Sequence, residues 1–509
     1  MARPNIVLIM ADQLAPQFTS TYGHPLVKTP NLDALAARGA RFDAAYCNSP
    51  LCAPARFSFM AGRHITKIGA YDNASEFSAS TPTFAHYLCQ LGYRTCLSGK
   101  MHFIGPDQLH GFEERLTTDV YPSDYAWTPD WEHPDERVDK WYHNMDSVKE
   151  AGTAATTFQM EYDDEVIFTA KRRLFDYAKQ GDTPFAMVVS FIHPHDPYVA
   201  RPEYWDLYAH DEIDLPRSPR ADDPHSRRVR EGIEADVVDI TDAEIRNARH
   251  AYYANTSYVD AKIGELVQTL EEARLLDETV VIFTGDHGDM LGERSLWYKM
   301  TMFEHSVRVP LVMAGPTIEQ GSVSEPCSLV DLLPTMLDLA AGDKPWPALG
   351  ADLDGRSLLP VATGGPEDPE AEAVAEYCAE CASHPIVMIR RGRYKYIASD
   401  IDPPMLFDIE ADPMELDDLA DHPDHIQVAV EFGEEVSRRW DSDAIRADVL
   451  ASQRARRAVY EGMQRGERTA WDYQPARDAT EDYVRNHKDW TKAAVSSRFP
   501  PRRGQRSRS

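Results

Sequence analysis

The sequence is short of basic residues and of long apolar runs. Its 509 residues include 53 lysines and arginines against 83 aspartates and glutamates, which gives a net charge of −30. This balance disfavours nucleic-acid binding and allows attraction of a cationic small molecule, although an acidic surface also serves solubility alone. The apolar run at 5–10 is too short for a bilayer span or a secretory leader. We therefore expect a cytoplasmic protein that does not contact a membrane.

Cysteine is also scarce. Seven cysteines are scattered through the chain, an odd number without the spacing of a disulfide framework. Cys378 and Cys381 form a Cys-x-x-Cys pair, but no second pair stands at zinc-site spacing, so we interpret both as ordinary thiols. Cys52 differs because of its neighbours, Ser-Pro-Leu-Cys-Ala-Pro-Ala-Arg at 49–56.

Pro54 in this stretch favours the first turn of a helix, where its missing N–H costs nothing. Cys52 then lies at the helix mouth, where free N–H groups favour an anion, and Arg56 returns to the same face one turn later. Such a site suits an oxyanion ester. A partly buried cysteine before an ordinary helix explains the motif alone equally well. The cysteine phosphatase loop is a second alternative, but it needs five residues between Cys and Arg, and here there are three.

Short apolar runs alternate with amphipathic segments. Strands are predicted at 5–10, 93–97, 185–192, 279–284 and 310–314, and helices at 29–39, 81–92 and 257–276. Helices that alternate with apolar strands indicate a mostly parallel sheet in an α/β sandwich. Asp12 follows the first run, at the strand edge where open α/β sheets place their sites.

A Gly-, Pro- and acid-rich stretch at 364–372 indicates a domain boundary. We predict a catalytic α/β domain over 1–370 and a C-terminal subdomain over 371–499, followed by a disordered basic tail at 500–509. The subdomain is expected to hold a small antiparallel sheet, with a hairpin at 386–390 and 394–398, and a helical stretch at 436–465. Residues 120–160, rich in Trp, Tyr, Pro and Asp, indicate a long loop region over the sheet.

The pattern Cys-x-Pro-x-Arg at 52–56 resembles the signature of the formylglycine-dependent type I sulfatases, a family of the alkaline-phosphatase superfamily. The resemblance implies an alkaline-phosphatase-like sandwich with a large, mostly parallel central sheet and a smaller C-terminal α+β subdomain. It also implies that a formylglycine-generating maturation enzyme oxidises Cys52 to an aldehyde, whose hydrate is the nucleophile. Arg56 is then expected to hold the sulfate oxygens.

Asp286 and His287 follow the predicted strand 279–284, as Asp12 follows the first strand. Two carboxylates and an imidazole at strand ends suit a divalent cation, Ca²⁺ in the first place and Mn²⁺ or Mg²⁺ as alternatives, although a single aspartate is as often a cap or turn residue. In the family these residues bind the metal together with an oxygen of the modified Cys52. Gln13 stands where many sulfatases have a second aspartate, which leaves the metal's identity open.

Further segments resemble the same family. Lys100 and His102 lie two apart after the predicted strand 93–97, so both side chains can face one point. The resemblance makes Lys100 a contact of the sulfate and nucleophile, and His102 the base that later releases the sulfate. His195, in a His-Pro-His loop, is the expected proton donor to the leaving group, assisted by Lys299. A loop histidine or a lone lysine is otherwise commonly structural.

The segments at 12–13, 49–56, 71–73, 99–115 and 193–198 together resemble the sulfatases that act on choline sulfate, a small cationic sulfate ester. A quaternary ammonium binds best against aromatic faces with a carboxylate nearby. The expected contacts, for which simple packing is the alternative, are Asn73 to the sulfate and Trp127, His143 and Glu376 to the ammonium group. The resemblance further implies a homo-oligomer, a dimer or tetramer, to which the C-terminal tail contributes.

Two other functions stay open at this point. A phosphonate monoester or phosphodiester hydrolase of the same superfamily uses the same fold, the same aldehyde nucleophile and the same Asp-Gln pair after the first strand. Comparing the kinetics on an aryl sulfate and on a phosphonate monoester distinguishes this function from a sulfatase. A non-catalytic anion- or osmolyte-binding protein would keep Cys52 unmodified, which the mass of the peptide that contains Cys52 reveals.

Overall fold

The computed structural model describes residues 3–121, 123–134, 136, 143–181 and 183–466. The predicted tail 500–509 and the segment 467–499, with its expected part in oligomer contacts, lie outside these residues. The strands are β1 Asn5–Asp12, β2 Gly39–Phe42, β3 Ala45–Tyr46, β4 Arg94–Gly99, β5 Glu114–Arg115, β6 Gly152–Thr153, β7 Phe185–Pro194, β8 Val199–Ala200, β9 Thr279–Gly285, β10 Leu311–Ala314, β11 Gly321–Val323, β12 Cys327–Ser328, β13 Glu372–Tyr377, β14 Ile386–Arg391, β15 Tyr394–Ser399 and β16 Asp402–Asp408. The α-helices are α1 Pro30–Ala36, α2 Cys52–Ala61, α3 Ile65–Ile68, α4 Phe84–Gln90, α5 Asp146–Lys149, α6 Phe158–Gln180, α7 Pro202–Trp205, α8 Pro224–Gly232, α9 Asp242–Glu272, α10 Glu304–Val307, α11 Leu332–Ala341, α12 Leu359–Ala362, α13 Ile426–Arg439 and α14 Ser442–Gln464.

Eight strands form the central sheet, in the order β11-β2-β10-β9-β1-β7-β4-β5. From β9 to β5 all neighbours are parallel, whereas β10 runs antiparallel to β9 and β2. The predicted fold class, a large and mostly parallel sheet with a smaller C-terminal sheet, is confirmed. All eight residues of β1 are buried, because a central parallel strand is covered on both faces and so carries an almost continuous apolar sequence.

The carboxyl ends of the central strands finish together. Ala11 of β1 lies opposite Phe191 of β7 on one side and Gly285 of β9 on the other. The residues that follow these positions therefore share one edge of the sheet, which is where side chains for a site are expected in an open α/β fold.

Helix α9 packs against β7, α6 packs against β7 and β4, and α1 packs against β10. The helix predicted at 257–276 begins much earlier, at Asp242, where Thr241 and Glu244 form a capping box. Most residues between Ala248 and Tyr258 are buried, so this half of α9 has no solvent-exposed face. Its sequence therefore lacks the alternation of apolar and polar residues by which an amphipathic helix is recognised. Among the described residues, no helix is both long and apolar enough to cross a lipid bilayer.

The C-terminal sheet is antiparallel, in the order β13-β14-β15-β16, and contains the predicted hairpin. It is tied to the chain that leads into α2, because Asn48 Nδ2 donates to the Val374 carbonyl at 3.0 Å and the Glu376 N–H donates to the Asn48 carbonyl at 2.8 Å. The stretch predicted as helical at 436–465 is two helices, since Trp440 is extended and Asp441 caps α14.

A buried ion cluster joins this sheet to the α/β part of the chain. The ammonium group of Lys395 on β15 lies 3.1 Å from Oε1 of Glu304 on α10 and 2.7 Å from Oε1 of Glu415. All three side chains are buried. One cation thus lies between two acidic side chains from different parts of the fold.

Candidate active site

The residues predicted as metal ligands meet at the carboxyl edge of the sheet. Asp12 ends β1, Asp286 and His287 follow β9, and Cys52 is the first residue of α2. All four side chains are buried, and each offers one ligand atom, these atoms lying within 4.8 Å of one another. The structure therefore gathers a thiol, two carboxylates and an imidazole from three elements distant in sequence.

His287 presents a lone pair to this centre. Its Nδ1 donates to the carbonyl of Gly288 at 3.0 Å, which leaves Nε2 to face the Cys52 sulfur at 3.1 Å. Burial lowers the pKa of His287 to about 4, so the imidazole is neutral near pH 7. Burial raises the pKa of Cys52 to about 12, so an unmodified thiol at this position stays protonated.

The donor set fits a divalent cation. Burial alone would raise the pKa of Asp12, but the positive charges of Lys100 and Arg56 hold it well below its usual range, so the carboxylate is ionised. Carboxylate oxygens with a neutral imidazole nitrogen are ligands that hard and intermediate divalent cations accept. An oxygen atom at position 52 would complete an oxygen-rich set.

Arg56, one turn into α2, is held by protein groups. Its Nε donates to Asp286 Oδ2 at 2.9 Å, and Nη1 donates to Ser190 Oγ at 2.9 Å and to the Lys100 carbonyl at 2.5 Å. Nη2 lies 3.4 Å from Asp12 Oδ2. Arg56 thus orients both carboxylates, while its contact with the sulfate ester stays a prediction.

Lys100 and His102 lie on the same side of the cluster, as their spacing suggests. The ammonium group of Lys100 pairs with Asp12 and lies 4.3 Å from the ring centre of Tyr121. His102 has left-handed backbone with φ of 59°, held by a 2.7 Å bond from its N–H to Asp119 Oδ2. Its buried ring nitrogens have no hydrogen-bond partner among the described residues. Burial and Lys100 keep the pKa of His102 well below its ordinary value, which leaves a neutral imidazole able to accept a proton.

Lys299 and His195 are in direct contact. Lys299 Nζ donates to His195 Nε2 at 2.9 Å and to Gln13 Oε1 at 2.6 Å. His195 Nδ1 donates to the carbonyl of Asp196 at 2.6 Å. Gln13 is fixed in turn, because its Nε2 donates to Asp289 Oδ2 at 2.7 Å. The residue that replaces the expected second aspartate therefore orients Lys299, a role that the sequence did not indicate.

Three of the predicted substrate residues border this cluster. The ring of Trp127 stands edge-on to the ring of His102, with 5.8 Å between centres. His143 lies 5.9 Å, centre to centre, from His195. Asn73 Oδ1 accepts the N–H of Ala53 at 3.0 Å, at the mouth of α2. Their predicted substrate contacts remain predictions.

The fourth, Glu376, is engaged elsewhere. Its carboxylate accepts from the N–H and hydroxyl of Thr66 at 2.9 and 3.0 Å and from Trp440 Nε1 at 2.6 Å. Glu380 is different: it is 2% exposed, and its Oε2 has no hydrogen-bond partner in the described part of the chain. Burial raises its pKa to about 8, and the charges of Asp72 and Lys299 both influence it. The sequence did not single out Glu380, because no motif marks the turn after β13 in which it lies.

Residues 4–342 match the family described as Sulfatase. The chain belongs to the sulfatase family. Two further families match parts of this sulfatase. They are described as N-sulphoglucosamine sulphohydrolase, C-terminal, over residues 292–441 and Choline sulfatase enzyme C terminal over residues 447–499. The prediction of a sulfatase enzyme is thereby confirmed, and hydrolysis of sulfate esters is its reaction.

Relatives of this sulfatase include the Choline-sulfatase of Rhizobium meliloti (strain 1021), which is 47% identical over 98% of this chain and 99% of the relative. Arylsulfatase K of Danio rerio is 30% identical over 82% of this chain and 80% of the relative. Solved structures of phosphonate monoester hydrolases from Agrobacterium radiobacter and Silicibacter pomeroyi both align with a TM-score of 0.68, at 24% and 23% identity, over 88% and 86% of this chain and 96% and 94% of theirs. At this identity the structural likeness shows the fold alone.

Proposed function

We propose that this sulfatase hydrolyses choline sulfate to choline and sulfate, with formylglycine at position 52 and one divalent cation, Ca²⁺ by preference. The observation that carries the chemistry is the cluster of Asp12, Cys52, Asp286 and His287 beside the unbonded ring of His102. The choice of choline sulfate is supported by the relative of that activity, which matches nearly the whole chain.

The aldehyde hydrate of formylglycine supplies two hydroxyl groups at position 52, one to attack the sulfur and one whose proton is removed when the sulfate leaves. A cation held by Asp12, Asp286 and His287 supplies positive charge to the sulfate oxygens and lowers the pKa of the attacking hydroxyl. A separate maturation enzyme is required, because no residue of the cluster can oxidise the thiol of Cys52.

The side chains around the cluster have separate tasks. Lys100 and Arg56 are fixed cations that oppose negative charge as it develops on the sulfate oxygens. Lys299 donates a proton or a strong hydrogen bond to the departing choline oxygen, while His195 and Gln13 hold its ammonium group in place. His102 takes the proton of the second hydroxyl, since neither of its ring nitrogens has a hydrogen-bond partner within the described part of the chain.

The quaternary ammonium group would lie between an aromatic wall and a carboxylate. Trp127, packed against Tyr121 at 5.3 Å between ring centres, supplies the aromatic face. Glu380 supplies the carboxylate in place of Glu376. Its carboxyl group is buried, and among the described residues its Oε2 has no hydrogen-bond partner, so a bound cation would stabilise it more than a carboxylate that already accepts hydrogen bonds.

The experiment begins with the mass of the peptide that contains Cys52. Loss of sulfur and gain of a carbonyl oxygen is the expected result in active protein. Converted protein is then assayed with choline sulfate, p-nitrophenyl sulfate and a phosphonate monoester, with choline sulfate expected to give the highest kcat/KM. The matched controls are Cys52→Ala, expected to be inactive, and Cys89→Ala, expected to be active.

Three results would count against the proposal. An intact thiol in active protein would show that the nucleophile is not an aldehyde hydrate. Equal turnover of choline sulfate and p-nitrophenyl sulfate would show that the site has no pocket specific for choline. A higher kcat/KM for the phosphonate ester would favour a phosphonate monoester hydrolase, the activity of the solved structures that share this fold.

A further inference from the structure

Helix α14, the last helix of the described chain, contacts two loops beside the active site. Its Arg456 forms a double hydrogen bond with Asp72, with Nη1 to Oδ1 at 2.6 Å and Nη2 to Oδ2 at 2.7 Å. One turn earlier, Oε1 of Gln453 accepts the backbone N–H of Trp131 at 2.9 Å. These four side chains are between 0% and 6% exposed, so the contacts are shielded from water.

The first contact leads to the mouth of α2. Asp72 Oδ1 also accepts the N–H of Ala74 at 2.9 Å, which closes a turn around Asn73. Asn73 Oδ1 in turn accepts the N–H of Ala53, the residue after Cys52. Arg456 thereby holds the loop that carries Asn73 against the first turn of the helix that carries the nucleophile.

The same two side chains reach the other pocket loops. Arg456 Nη1 lies 3.4 Å from Oγ1 of Thr128, the residue after Trp127. Trp131, held by Gln453, donates from its Nε1 to the carbonyl of Ala379 at 2.8 Å. Ala379 directly precedes Glu380. Three loops separated widely in sequence are thus connected to one turn of α14.

We propose that Arg456 and Gln453 are positioning residues that hold Trp127 and Glu380 in the geometry that binds the cationic headgroup. This inference rests on the proposed function, since it concerns the pocket for the quaternary ammonium. Its physical basis is that a bidentate guanidinium–carboxylate pair fixes direction as well as distance. Without Arg456, Asp72 is left as an unpaired buried anion, and its loop shifts toward any available donor.

The test compares two substrates in the full-length, converted enzyme. Arg456→Gln is expected to raise KM for choline sulfate roughly 10-fold to 100-fold, as small misplacements of a binding group do. The kcat/KM for p-nitrophenyl sulfate, which has no ammonium group, is expected to change by less than about twofold, the size of effect expected for a substitution away from the groups it contacts. Arg456→Lys is expected to raise this KM less than Arg456→Gln does, because the lysine ammonium group keeps the positive charge although it cannot form both hydrogen bonds with Asp72. Arg391→Gln, which breaks a pair with Glu435 elsewhere in the C-terminal region, serves as the control.

An equal loss on both substrates, or no loss on either, overturns the inference, because a helix that only stabilises the fold does not discriminate between esters. Gln453→Met replaces Arg456→Gln if the latter does not fold, with the same two outcomes. If wild-type enzyme does not prefer choline sulfate, the proposed function fails on its own, and hydrogen exchange decides the inference. Faster exchange confined to 71–75 and 125–131 in Arg456→Gln then supports positioning, and unchanged or global exchange refutes it.

Discussion

Lys299 Nζ donates a hydrogen bond to His195 Nε2 across 2.9 Å. The other ring nitrogen of His195 donates to the carbonyl of Asp196, so this imidazole is neutral. Burial and Lys299 hold the pKa of His195 well below its ordinary value, which agrees with that state. Burial alone would lower the pKa of Lys299, but the negative charges of Asp196 and Asp12 raise it. This geometry favours Lys299 over His195 as the proton donor in the proposed reaction, whereas the sequence predicts His195 as the donor with Lys299 assisting; both roles stay predictions.

The first prediction follows from this arrangement. Lys299→Ala is expected to lower kcat/KM for choline sulfate by about 10²- to 10⁴-fold, because an alkoxide leaves poorly without a proton. The loss for p-nitrophenyl sulfate is expected to be much smaller, since a nitrophenolate leaves unprotonated. Lys171→Ala, on the surface and paired with Glu265, is the control and should match wild type. Equal losses on both esters would assign Lys299 to sulfate binding instead.

A second prediction concerns the cation. The melting temperature of the wild-type protein is expected to fall when a chelator is added and to recover with Ca²⁺, since saturation to 100 times Kd stabilises a folded protein by about 2.7 kcal/mol. Asp286→Asn should lose this response to Ca²⁺, whereas Asp277→Asn, an exposed aspartate, should keep it. Scanning calorimetry with and without chelator measures both. A wild-type melting temperature that changes with neither chelator nor Ca²⁺ would contradict the cation site.

A third prediction is the pH dependence of substrate binding. Burial raises the pKa of Glu380 to about 8, so its carboxyl group is neutral below that pH and anionic above it. A bound quaternary ammonium favours the anionic form, so KM for choline sulfate is expected to fall as the pH rises from 6.5 through 8. Steady-state kinetics across this range measures the effect.

The variant Glu380→Gln is expected to have a high KM for choline sulfate that no longer changes over this pH range. The KM for p-nitrophenyl sulfate, measured in parallel, should follow the same pH curve in the wild type and in Glu380→Gln. If the KM for choline sulfate keeps its pH dependence in Glu380→Gln, Glu380 does not bind the ammonium group.

A fourth prediction is about stability. Lys395→Met is expected to destabilise the protein by about 3–5 kcal/mol, because it leaves Glu304 and Glu415 buried and without their shared cation. Lys67→Met, which removes a half-exposed lysine from its pair with Asp354, should cost less than about 1 kcal/mol. Urea unfolding followed by tryptophan fluorescence compares the two. A loss for Lys395→Met no larger than that for Lys67→Met would show that the buried cluster contributes little.

Much of the site was predictable because it depends on where strands and helices end. Asp12 and Asp286 could be placed at one edge since parallel central strands are continuous apolar runs that stop at a polar residue. Cys52 could be placed at a helix mouth because Pro54 marks the first turn. These are local signals, and the long-range contact between the elements follows from the topology of a parallel sheet.

The rest depends on contacts that leave no local signal. Arg456 and Asp72 lie 384 residues apart, and neither stands in a pattern that points to the other. Glu376 and Glu380 are four residues apart, and only the hydrogen bonds that Thr66 and Trp440 donate to Glu376 show which carboxylate is already bonded. The early start of α9 was missed for a related reason, since burial on all sides removes the polar face that reveals a helix.

The side chain of Cys52 is 1% exposed, and His287, which faces its sulfur, lies 235 residues further along the chain. A small ester can diffuse to such a place, but a second protein cannot fit its own catalytic groups around it. The ribosome must deliver those 235 residues before the pocket can close. Under the proposed function, conversion of the thiol therefore has to precede the closing of this pocket, and molecules that fold unconverted are expected to remain unconverted.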